Sequence, residues 1–102
     1  MAPEAVVDLH RLKSQIRSQV RNDIETHLRH EPKKSSKSRI KRLKGVSHPQ
    51  FRLRVGDDLR VFYDVTENTV EVLAIVLKSD ADDWLRNNGE SDEESGPDGN
   101  ER

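Results

Sequence analysis

Cysteine is absent from the 102 residues, which excludes disulfide frameworks, thiolate zinc sites and cysteine nucleophiles. Aromatic residues are scarce, with one tryptophan, one tyrosine and two phenylalanines. Only 31% of the chain is hydrophobic against 36% charged, enough for one small core and a sign that part of the chain lies outside it. No apolar run approaches the length of a membrane span. Residues 1–8 show no basic stretch leading into an apolar one, so no secretory signal is visible. The expectation is a soluble cytoplasmic protein with no membrane partner. A phosphate-cradling glycine loop, a nucleophile–base pair and a metal-carboxylate cluster are also missing. Asp80, Asp82 and Asp83 lack the spacing and terminal glutamate of a calcium loop. No cofactor or metal is expected.

What is present is charge, unevenly distributed. The net charge is −1, yet residues 29–60 hold eleven lysines and arginines against three acids, a local +8. Residues 86–102 hold six acids against two arginines, a local −4. A basic middle in a nearly neutral chain is the footprint of a polyanion binder, or else a solvated charged face.

Residues 3–32 read as helix. Val6, Leu9, Leu12, Ile16, Val20, Ile24 and Leu28 recur at steps of three or four and form one apolar stripe. Pro3 suits a first turn, Glu4 and Asp8 complement its positive end, and Pro32 ends the pattern. Ser14 is a candidate cap that divides the segment into two helices; one long helix is the alternative. His10, His27 and His30 lie on this segment without the spacing of a metal site. Residues 33–44 read as a polar basic connection anchored only by Ile40 and Leu43. Phe51–Val55 then alternates strictly, Gly56-Asp57-Asp58 marks a turn, and Leu59–Val65 alternates again. Val70–Leu77 is apolar on both faces apart from Glu71, as in a strand covered on both sides. Asp80–Leu85 suggests one short helical turn. From Asn87 the chain is glycine, proline, serine and acid with no apolar residue, which predicts a domain over 1–86 and a disordered acidic tail over 87–102. That tail reads as a solubility device, with competition for the basic face as the sharper alternative.

Alternation places Arg52 and Arg54 on one side of their strand, and a hairpin partner brings Arg60 beside them. On this reading the face points away from the helices and also carries Phe62, available to stack on a base or a guanidinium. Three permanent cations together repel unless an anion meets them, and their planar forks match phosphate. The alternative is ordinary exposed arginines paired with Asp57, Asp58 or Asp64. Lys41, Arg42 and Lys44 would extend the phosphate track. His48, just before the arginine strand, could reach its face but reads first as a turn residue.

The strings RIKRLKG over 39–45, FRLRVG over 51–56, DLRVFY over 58–63 and VEVLAIVL over 70–77 resemble the RelE/ParE toxin superfamily. The leading helical stretch is similar as well, so the likeness spans roughly residues 3–85. It implies an α+β fold: an N-terminal helix pair packed on a three- to four-stranded antiparallel sheet. It also implies a cognate antitoxin as partner. RelE-like members cleave ribosome-associated mRNA by attack of a 2′-hydroxyl on the neighbouring phosphate, without a metal; ParE-like members act on DNA gyrase. By position, Arg52, Arg54 and Arg60 match the residues that hold the scissile phosphate, and Tyr63 matches a widespread tyrosine that alternation puts on the core side.

Two departures stand out. The family begins with a strand, whereas this chain reaches its helix almost at once, so three strands rather than four are expected, with an edge to be covered. After the last strand the family carries an arginine or histidine and then a tyrosine. Here residues 78–85 offer Lys78, which supplies part of the charge, and Trp84, which cannot exchange a proton. Anion binding is thus better represented than proton transfer. A ribosome- and mRNA-binding toxin that cleaves, a relative that binds antitoxin or RNA without turnover, and a gyrase inhibitor all remain open.

Overall fold

A computed structural model describes residues 1–36, 39–67 and 69–91. Two helices, α1 (Pro3–His10) and α2 (Ser14–Leu28), precede three short or medium strands, β1 (Ile40–Arg42), β2 (Val46–His48) and β3 (Phe51–Val55). The long strands β4 (Leu59–Thr66) and β5 (Thr69–Leu77) follow, then a 3-10 turn over Lys78–Asp80, helix α3 (Ala81–Asn88) and the two-residue strand β6 (Glu90–Ser91). The main sheet is antiparallel with order β1-β3-β4-β5, while β2 and β6 pair separately. This is the α+β architecture expected, and its helix pair is real. No helix among the described residues is long and apolar enough to cross a membrane.

The helical break falls where expected but for a different reason. Ser14 is the first helical residue, and the capping position is Lys13, in extended conformation with no side-chain cap. The break also resets the phase of the apolar stripe. In α1 the buried pair is Ala5 and Leu9, one turn apart, and Val6 is left exposed. In α2 the buried pair is Val20 and Leu28, with Ile24 partly buried between them and Ile16 exposed. These residues pack with Phe51, Leu53, Val55, Leu59, Val61, Tyr63 and Val65, the odd-numbered face of β3 and β4.

The β3–β4 hairpin turns at Gly56, whose positive φ of 60° is inexpensive only for glycine. Its register pairs Phe51 with Tyr63, Leu53 with Val61 and Val55 with Leu59. The Phe51 and Tyr63 rings stack at 5.4 Å. The Tyr63 hydroxyl donates to the Pro32 carbonyl at 2.6 Å, tying the end of the helical segment to the sheet. Burial pushes the Tyr63 phenol well above its usual pKa. Tyr63 is therefore a packing residue, as alternation indicates. Tyr63→Phe is expected to cost about 1 kcal/mol, the net worth of one hydrogen bond, and to leave nucleic-acid binding unchanged; urea denaturation and an RNA-binding assay check both.

The sheet has four strands, the upper end of the three to four expected, and the fourth is β1, from a segment read as a connection. The basic connection contributes Ile40–Arg42, pairing Ile40 with Leu53, Lys41 with Arg52 and Arg42 with Phe51. At the far edge, β5 is covered without a leading strand. The Ala2 amide donates to the Val72 carbonyl at 2.8 Å, and Asp8 of α1 accepts the Ile75 amide at 2.9 Å. Both devices blunt an edge that would otherwise pair with another chain.

The C-terminal expectations change most. The single turn foreseen at 80–85 is an eight-residue helix, and residues 87–91, assigned to the tail, complete α3 and form β6. Gly89 ends the helix with its amide on the Leu85 carbonyl at 2.8 Å; a Cβ there would lie 2.7 Å from that oxygen, so only glycine fits. The expected tail beyond Ser91 lies outside the described residues.

Candidate nucleic-acid interface

The even-numbered face of β3 and β4 carries the polar side chains. Cross-strand register sets them in rows: Gln50 and Asp64 next to the Phe51–Tyr63 pair, Arg52 opposite Phe62, and Arg54 opposite Arg60. Lys41 of β1 continues the middle row on the far side of Arg52. Arg52, Arg54 and Arg60 are therefore brought together on one surface, and Lys41 joins them.

Each arginine is held differently. Arg60 is only 7% exposed and donates to the Leu59 carbonyl at 2.8 Å, so it fastens the turn while its charge has no carboxylate partner among the described residues. Arg54 donates from Nε to the Gly56 carbonyl at 3.1 Å and forms an ion pair with Asp57 at 2.8 Å. Asp57 is almost fully exposed, and such surface pairs contribute little. Arg52 has no hydrogen-bond acceptor on its buried Nε among the described residues. Desolvation, followed by the charges of Arg60 and Arg54, lowers its pKa from the usual arginine value. A buried donor without an acceptor, in a field of like charge, is locally costly and makes this surface the candidate anion site.

The remaining basic candidates separate. Arg42 faces the other way; its guanidinium lies 5.3 Å from the Phe51 ring centroid and donates to the Gln50 carbonyl at 2.9 Å. Alternation along β1 causes this, since Lys41 and Arg42 must take opposite faces. Lys44 is exposed in the turn before Val46, and Lys78 is exposed where β5 ends, its amide bonded to the Asp58 carbonyl at 2.6 Å.

Two features of the face escaped the sequence reading. Phe62 is not an outward platform: it is 0% exposed and stacked by Trp84 of α3 at 4.9 Å, with ring planes 7° apart. The Trp84 indole also donates to Glu4 of α1 at 3.0 Å. The arginine face is thus half roofed by α3. Ala74, opposite Phe62 across β5 and also buried, was a visible sign that this face has an apolar patch needing cover. The second feature is a hydrogen-bonded contact between His48 Nδ1 and Asp64 Oδ2. The other Asp64 oxygen accepts the Gln50 amide at 2.7 Å, and the Gln50 side chain accepts the Val65 amide at 2.9 Å. His48 is accordingly an ordered member of the arginine face rather than a loose turn residue.

A depression of about 640 Å³ lies elsewhere, between Leu28–Lys34 and the β4–β5 turn. Its volume does not make it the site, because the convergent charge and the unpartnered donor are on the other surface. Among the described residues no cluster of three potential metal ligands occurs.

The family model for the ParE toxin of type II toxin–antitoxin systems (parDE) matches residues 1–82. The chain belongs to this family. Its structure is also similar to a chain of the RelB–RelE antitoxin–toxin complex from Methanococcus jannaschii, with a TM-score of 0.63 and 25% identity over 82% of this chain and 95% of that one. No curated protein matches the sequence. The RelE/ParE resemblance carried by the 39–63 strings is therefore confirmed. In this ParE-family toxin the matched region ends inside α3, just short of Trp84, so the Trp84–Phe62 roof begins where the family match stops.

One prediction concerns the rim. Asp57→Asn removes the carboxylate paired with Arg54 and is expected to tighten RNA binding modestly and steepen its salt dependence. The stability change is expected to stay below about 0.5 kcal/mol, since the pair is exposed. Binding titrations at several salt concentrations and a thermal melt check it.

Proposed function

We propose that this ParE-family toxin grips the phosphate backbone of ribosome-associated mRNA on its arginine face and cleaves it by attack of the adjacent 2′-hydroxyl, a cognate antitoxin restraining it. The observation that carries the reading is Arg52: a buried guanidinium donor with no acceptor, flanked by Arg54 and Arg60. An in-line displacement at phosphorus places extra negative charge on the non-bridging oxygens, and preformed cations stabilise that charge. Lys41 beside Arg52 extends the track for the neighbouring phosphate. The likeness to a RelB–RelE antitoxin–toxin complex supports the antitoxin partner.

A gyrase-directed reading has one specific support, the match to the ParE family model. One experiment separates the two. Purified protein is added to a translation reaction and to a DNA supercoiling reaction, alongside Arg54→Ala and Arg60→Ala. Translation-dependent mRNA cleavage that is lost in both variants supports the proposal. Inhibition of supercoiling without cleavage overturns it in favour of gyrase, and cleavage equal in all three proteins removes the arginines from the chemistry.

A further inference from the structure

Cleavage by a 2′-hydroxyl needs a group to take its proton, and the arginines are unsuited because they remain protonated. The tyrosine of this chain is equally unsuited, its hydroxyl buried and committed to Pro32. We infer that His48, oriented by Asp64, is the proton acceptor of the phosphate site formed by Arg52, Arg54 and Arg60. The inference rests on the RNA-cleaving reading above.

Three observations carry it. The first is placement: Asp64 lies on the same face of β4 as Phe62 and Arg60, and on the diagonal from Arg52. Diagonal neighbours in an antiparallel pair stand about 7–8 Å apart, so the carboxylate that holds His48 lies one step along the face from Arg52. The second is orientation. Asp64 binds His48 through Nδ1, which leaves Nε2 as the free ring nitrogen, without a hydrogen-bond partner among the described residues. A carboxylate on one imidazole nitrogen fixes the tautomer and stabilises the cation formed when the other takes a proton. The third is rigidity. Asp64 is itself held by the Gln50 amide, Pro49 is fully buried, and β2 is pinned by β6 through the pairing of His48 with Glu90. The imidazole remains 42% exposed, so substrate can reach it. A hydrogen-bonded base with a defined free nitrogen, on the same face as Arg52 and Arg60, is the arrangement that general-base catalysis at phosphorus requires.

In the step itself, Nε2 takes the proton of the 2′-hydroxyl as the 2′-oxygen forms its bond to phosphorus. The bond from phosphorus to the 5′-oxygen breaks, leaving a 2′,3′-cyclic phosphate, and the departing oxygen takes a proton from solvent water. The imidazolium then returns its proton to solvent. No oxidant, reductant or metal enters the balance.

The test compares wild type with His48→Ala and Asp64→Asn, each checked by thermal melt. It reads RNA binding and translation-dependent cleavage separately, with and without added imidazole. The expected result is RNA binding preserved in His48→Ala, cleavage reduced by about a hundredfold or more, and part of the loss restored by imidazole. Asp64→Asn, which keeps the shape, is expected to bind RNA and cleave slowly. Wild-type cleavage rates in His48→Ala overturn the inference and leave the RNA-cleaving reading intact. So does a His48→Ala protein that has lost binding and cleavage together and does not respond to imidazole. A wild type that binds RNA without cleaving it overturns the dyad as a base while sparing RNA binding; a wild type that does neither overturns both.

Discussion

Arg52→Met is expected to make the toxin more stable and less able to bind RNA. The two effects have one origin. In the free protein the Arg52 guanidinium has given up solvent at Nε without gaining an acceptor, and its neighbours Arg60 and Arg54 repel it. An unsatisfied buried donor costs about 1–3 kcal/mol. Methionine retains the unbranched stem that lies along the sheet and removes both the orphan donor and the charge. A gain of roughly 1 kcal/mol in unfolding free energy is therefore expected, at the low end of that range because Arg52 is only partly buried. The same change removes the guanidinium that, on the proposed reading, meets the phosphate. A hydrogen bond to a charged group is worth about 1.5–3 kcal/mol, so RNA affinity should fall by roughly one to two orders of magnitude. The logarithmic salt slope should fall by about one phosphate contact. Urea denaturation and binding titrations at two ionic strengths measure both. A variant that melts lower and binds RNA as before would mean that Arg52 is a structural residue.

Such a trade is what a functional site is expected to show, local consistency being given up for a ligand. It also shows which parts of the site the sequence could reveal. The alternation of 51–55 and 59–65, with Gly56-Asp57-Asp58 between, fixes the hairpin register and hence the convergence of Arg52, Arg54 and Arg60. Once Phe51 pairs with Tyr63, Asp64 must face Gln50 on the arginine side. The His48–Asp64 pair was therefore within reach of that arithmetic. It was missed because His48 lies outside the hairpin and its position depends on β2 pairing with β6, a contact over more than forty residues. Strand β1 was illegible for a similar reason. Three basic-flanked residues have no strand signature of their own and become a strand by pairing with β3. The helix pair was legible through its period, but the phase slip at Arg11–Lys13 moved burial from Val6 to Ala5. The roof was hidden by economy of residues. Helix α3 buries no residue completely and contributes Trp84 and Leu85 as its only large apolar side chains, too few for a periodic signal.

Phe62 gives the sharpest contrast between the two pictures of the face. Alternation alone makes it an exposed platform, and an exposed residue truncated to alanine changes stability by less than about 0.5 kcal/mol. The structure instead buries it fully, between Arg52 on β3 and Ala74 on β5 and beneath the Trp84 ring. Phe62→Ala is expected to cost about 3–5 kcal/mol, the transfer of the ring plus the cavity left behind. Small domains have only about 5–15 kcal/mol in total, so the loss is a large fraction of the fold. Trp84 is the only tryptophan in the chain and reports the event directly. With Phe62 gone its indole loses the stacking partner, keeps only the bond to Glu4, and its emission is expected to shift to the red before global unfolding begins. Trp84→Ala should be milder, because Trp84 is itself half-buried and its removal opens Phe62 to solvent without leaving an enclosed void. A Phe62→Ala protein as stable as wild type, with unshifted emission, would place α3 off the sheet and return Phe62 to the open surface, where it would be free to stack on a base.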